Sequence, residues 1–87
     1  DMATENRALA QAIAEARDFE PDRYPGGLMM AFFRLMDVPR DEAPELWAEL
    51  RRALRENPHL KDPDVRAFLE RKDLAERGYW WFDPDQW

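Results

Sequence analysis

The spacing of apolar positions divides the chain into four helical segments and an aromatic end. The densest stretch is Leu28-Met29-Met30-Ala31-Phe32-Phe33-Arg34-Leu35-Met36, with seven large apolar side chains and one charge. Wound at 3.6 residues per turn, these side chains leave no polar face, and a helix apolar all round is normally buried. Nine residues are also too few to cross a bilayer. The pattern therefore predicts a central helix over 28–37, with Gly27 as its N-cap. Pro39 closes it by pushing Val38 out of the helical region.

Ahead of it, Leu9, Ala12, Ile13, Ala16 and Phe19 recur at helical spacing and predict a helix over 3–17 with Thr4 as N-cap. Its apolar face is mostly alanine, which has high helix propensity but little area to bury. It is expected to be the most weakly held of the set. Between the two lies an irregular segment punctuated by Pro21, Pro25 and Gly26-Gly27.

The third helix is predicted over 41–57, with Ala43, Leu46, Trp47, Leu50 and Leu54 on one stripe. Asp41, Glu42 and Glu45 at its start and Arg51, Arg52 and Arg55 at its end both complement the helix dipole. Glu49, Arg52 and Glu56 read as an exposed ion-pairing face. A fourth helix is predicted over 63–77, capped by Asp62 with Pro63 at its first position. Its inner face of Val65, Phe68 and Leu69 loses register at Leu74, so a kink near Lys72-Asp73 or a separate short helix ending at Gly78 is expected.

The tail 79–87 holds Tyr79, Trp80, Trp81, Phe82 and Trp87, three of the chain's four tryptophans among them. No second β-prone run is present to pair with it. Asp83-Pro84-Asp85 repeats the start signal of 62–64 and can open one final turn. The fold expected from 1–87 is a single all-α domain of four to five helices around 28–36, with an aromatic C-terminal segment.

Composition narrows the chemistry. A chain of 87 residues is near the size where one core is only just sufficient. With no cysteine there is neither a disulfide staple nor a thiolate. With no serine and a lone threonine, Thr4, covalent acyl transfer is effectively excluded. A net charge of −6 argues against nucleic acid held through its phosphates. The N-terminal stretch has no apolar signal core and carries glutamates that a transit peptide lacks, so cytoplasmic placement without a membrane is expected. Asp1 ahead of Met2 reads as an addition before a native start.

The remaining candidates are sparse. Glu56-Asn57-Pro58-His59 has the Glu-x-x-His spacing of di-iron bundles, but Pro58 breaks the helix that would align the pair and no second copy exists. Asp62, Asp64, Asp73, Asp83 and Asp85 lack the calcium-loop pattern, and capping accounts for the first two. No metal, cofactor or catalytic group is therefore expected. Arg51, Arg52 and Arg55 form the only basic cluster, and the methionines of 28–36 read as core filling.

The tail either folds back across the groove between helices or docks on another chain, since clustered exposed aromatics mark interfaces. The expectation adopted is a non-catalytic protein–protein interaction module: a small accessory subunit, adaptor or inhibitor of a larger protein. It would dock through Tyr79, Trp80, Trp81, Phe82 and Trp87. Two alternatives stand beside it: an acidic immunity-type inhibitor occluding a basic active site, and a small-ligand binder or enzyme using His59 and carboxylates.

Overall fold

The computed structural model describes residues 2–87; Asp1, and with it the reading of that residue, lies outside the described residues. Five α-helices follow in order: α1 (Met2–Asp18), α2 (Gly26–Leu35), α3 (Pro44–Glu56), α4 (Pro63–Leu69) and α5 (Lys72–Glu76). Short 3-10 helices stand at Pro58–Lys61, Trp80–Phe82 and Pro84–Gln86. No strand occurs among the described residues. The all-α architecture agrees with the sequence pattern.

Helix α2 does enter the core, through Leu28, Ala31, Phe32 and Leu35 at i, i+3, i+4 and i+7. Its burial is one-sided, however. Met30 remains 53% exposed, while Met29, Phe33 and Met36 are half-buried against the core edge. It starts at Gly26 with Pro25 in the cap position, slightly earlier than expected.

Helix α1 is the larger correction. Far from being loosely held, it packs against both α2 and α3. Leu9, Ala12 and Ala16 are fully buried and Ile13 nearly so. The alanines explain this: small side chains let two neighbouring backbones approach, and the larger side chains of α2 and α3 fill the space. Thr4 is not the cap either, because the helix already begins at Met2. Its hydroxyl accepts a hydrogen bond from Arg7 at 3.3 Å instead.

Helix α3 begins at Pro44 rather than at 41, leaving Asp41 and Glu42 in the preceding turn. Pro44 disfavours helical geometry at the residue before it, and Ala43 adopts φ 50, ψ 54, the left-handed region. A side chain there is strained where glycine is not. Ala43→Gly is therefore expected to raise stability by about 0.5–1 kcal/mol, read as a higher denaturation midpoint; an unchanged or lower midpoint would contradict the assignment of strain. The ion-pairing expected along α3 is also redirected. Glu49 bonds Arg17 of α1 at 2.6 Å, tying the two helices across their surface.

The expected cap at Asp62 is present, its carboxylate accepting from the backbone N–H of Asp64 (2.9 Å) and Val65 (3.2 Å). The predicted span 63–77 divides into α4 and α5, with Glu70 extended between them. Gly78 then turns the chain at φ 102, a conformation that disfavours any Cβ, and a Cβ there would also meet the Arg40 guanidinium. That turn sends the aromatic segment back over the helices.

Candidate interaction site

Of the five aromatic residues expected to contact a partner, three are consumed by the chain's own core. Trp81 and Phe82 are fully buried and Trp87 is 8% exposed. The Trp81 indole N–H donates to the Phe32 carbonyl at 2.9 Å, and the Trp87 indole N–H donates to the Trp81 carbonyl at 3.0 Å. Backbone bonding holds the same segment, since Arg71 N–H donates to the Phe82 carbonyl at 2.9 Å. Phe32 meets the Phe82 ring edge-on at 5.6 Å, and Trp47 lies 5.0 Å from Trp81.

The role expected of Trp81, Phe82 and Trp87 is corrected accordingly. Five short helices leave a gap beside α2 and α3 that they cannot close themselves, and indoles that find acceptors bury at little polar cost. The expected final turn at Pro84–Gln86 completes the closure, with Asp83 accepting from Asp85 N–H at 3.0 Å.

Tyr79 and Trp80 are different. Both are half-buried, and both rings lie against Trp81, at 5.6 and 5.7 Å between centroids. Each also carries arginines. The Arg51 guanidinium lies 4.2 Å from the Trp80 ring centroid, and Arg40 and Arg77 lie 5.0 and 5.5 Å from that of Tyr79. Arg40 is held there by donating to the Gly78 carbonyl. Beside Trp80 a hollow of about 450 Å³ is lined by Trp47, Ala48, Arg51, Arg52, Arg55 and Trp80.

Arg51, Arg52 and Arg55 were legible as a cluster from their spacing on α3. The contribution of Arg40 was not, because only the folded chain brings 40 beside 79. Arg55 donates to the Trp87 carbonyl, whereas Arg52 has no partner among the described residues.

The other candidates are dispersed. His59 is exposed in the 3-10 helix opened by Pro58, off the end of α3, and shares a hollow of about 630 Å³ with Glu56, Asp18 and Glu20. It borders a groove of about 680 Å³ that includes Tyr24, Phe68, Asp62 and Asp64. The exposed rings of Tyr24 and Phe68 meet edge-on there at 5.6 Å. The aspartates at 62, 64, 73, 83 and 85 are not gathered into a metal-holding group among the described residues.

Perturbed titration lies elsewhere. Glu42 is raised, first by a hydrogen bond shared with Glu5, then by burial and by the like charges of Glu5 and Asp41. Asp73 is lowered chiefly by its hydrogen bonds from Arg71, whose own guanidinium is raised by the same contact. Neither pair adjoins His59 in a cleft that could position a substrate. No described helix is long and apolar enough to cross a membrane.

No protein-family model matches the chain, and no curated protein or solved structure is similar to it.

Proposed function

We propose that this chain is a non-catalytic interaction module, acting as a small accessory subunit, adaptor or inhibitor of a larger protein. Its docking surface is the Tyr79–Trp80 face with the arginines that overlie it. The carrying observation is that these two rings stay half-exposed while their neighbours Trp81 and Phe82 are buried. Tryptophan, tyrosine and arginine are the residues in which interface energy concentrates. A rigid base of Trp81 beneath both rings presents them at low entropic cost.

The test separates docking from folding. Trp80→Ala is expected to weaken partner association by roughly 2–4 kcal/mol, and Tyr79→Ala by about 1 kcal/mol or more. Both variants should retain a cooperative melt. The tagged full chain is used to isolate its partner from source cells, and affinities of the purified pair are then measured against each variant. A Trp80→Ala protein that melts earlier yet binds its partner unchanged would defeat the proposal.

A further inference from the structure

We infer that the hollow beside Trp80 is a carboxylate-binding site, so that the partner's docking segment is acidic. This rests on the docking reading above and adds the chemistry of what docks. The chain has 19 acidic and 13 basic residues, so an acid-free hollow is not what its composition favours. The groove beside His59 includes Asp62 and Asp64, a hollow between the ends of α1 and α3 includes Asp18 and Glu56, and two smaller ones flank Asp83 and Asp85. The hollow beside Trp80 has three arginines and no acid at all.

A second observation comes from its buried donors. Trp47 is only 7% exposed, yet its indole N–H has no acceptor among the described residues. The buried Nε–H of Arg51 is likewise without one. Buried donors normally find partners, and leaving one unpaired costs free energy. Arg52 adds a solvent-facing guanidinium with no ion-pair partner among the described residues. Both donors are covered by the chain itself, so the group open to an anionic oxygen is the exposed guanidinium of Arg52 at the rim of the hollow.

Two features favour a carboxylate on a polypeptide. The hollow is walled by the indoles of Trp47 and Trp80, against which a monovalent carboxylate loses less hydration than a phosphate dianion. The positive face also continues past the hollow to Arg40 and Arg77 over Tyr79, which suits several acids spaced along one segment. Guanidinium forks match carboxylates geometrically.

A randomised peptide display library panned on the immobilised full chain tests this directly. Selected peptides should be enriched in aspartate and glutamate over the starting library. Their affinity should fall at least fivefold in Arg52→Gln, and about tenfold between 50 and 300 mM salt as charge is screened. Replacing their acids by the corresponding amides should abolish binding.

A selection without acidic enrichment, no selection above background, or acidic peptides bound equally by Arg52→Gln and Arg51→Lys would each overturn the inference. So would competition by inorganic phosphate at concentrations where acetate has no effect, which would assign the hollow to phosphate. Trp80→Ala separates the two levels. Peptides lost on Trp80→Ala but indifferent to the arginine changes leave the docking face standing and remove the carboxylate site. The opposite pattern keeps the site and removes the aromatic docking reading.

Discussion

Trp81→Ala is expected to leave little folded protein at room temperature. The side chain is fully buried and among the largest in the core, and truncating a buried tryptophan costs about 3–5 kcal/mol. The loss is compounded because the Phe32 carbonyl forfeits the indole N–H that reaches it at 2.9 Å. A buried acceptor left unpaired adds about 1–3 kcal/mol. Against a total stability of about 5–15 kcal/mol for a domain, the sum removes most or all of the margin.

Near-ultraviolet circular dichroism and denaturant titration would show this as loss of the aromatic signal and a midpoint close to zero denaturant. Trp80→Ala measured alongside should melt much nearer to wild type, since its ring is half-exposed. If the two variants were equally destabilised, the division of the tail into core and surface residues would be wrong.

That division is the part of the molecule its sequence conceals. The positions of the helices were written locally: Asp62 followed by Pro63, Pro39 after Val38, and Gly78 at its turn each act on the backbone within a few residues. Where local signals competed, proline prevailed. Asp41 and Glu42 looked like a helix start, but Pro44 fixed the start three residues later and left Ala43 left-handed. The close packing of α1 is hidden in the sequence for another reason. Counting apolar area undervalues alanine, whose contribution is to admit close neighbours on two sides at once.

The destination of the tail depends on a gap whose shape exists only after α2 and α3 have packed. Four aromatics in a row, with a fifth at 87, look alike along the chain, and the turn at Gly78 sets which rings face inward. The arginine-lined face was half legible. Residues 51, 52 and 55 share a helix, while Arg40 arrives from a distant segment to cover Tyr79 beside its near neighbour Arg77. Least visible was Asn57, which in the sequence only marks where Pro58 stops a helix.

Asn57→Asp, a change of one atom type, is expected to cost about 3–5 kcal/mol at neutral pH. The residue is 9% exposed and its amide ties two elements together. Its Nδ2 donates to the carbonyls of Ala16 at 2.8 Å and Phe19 at 2.9 Å, securing the end of α1 to the end of α3. Its Oδ1 meanwhile accepts from His59 N–H at 3.0 Å. An aspartate keeps only the last of these bonds and sets a carboxylate oxygen against two carbonyl oxygens.

Burial and those carbonyls both disfavour the charged form, so the introduced acid should have a folded-state pKa above its unfolded value of about 3.9. The sign of the pH dependence follows. The folded state then binds the proton more tightly than the unfolded state, so the defect is smallest below the unfolded pKa and grows as pH rises through the folded one. Once protonated, the acid can donate to one of the two carbonyls and restore half of the lost bonding. Thermal melts of Asn57→Asp and wild type at pH 7 and near pH 4 therefore should differ widely at the first and converge at the second. Asn57→Ala serves as the control, losing about 2–3 kcal/mol with no such convergence. A gap between Asn57→Asp and wild type that is the same at both pH values would show that the two carbonyls do not confront this side chain in solution.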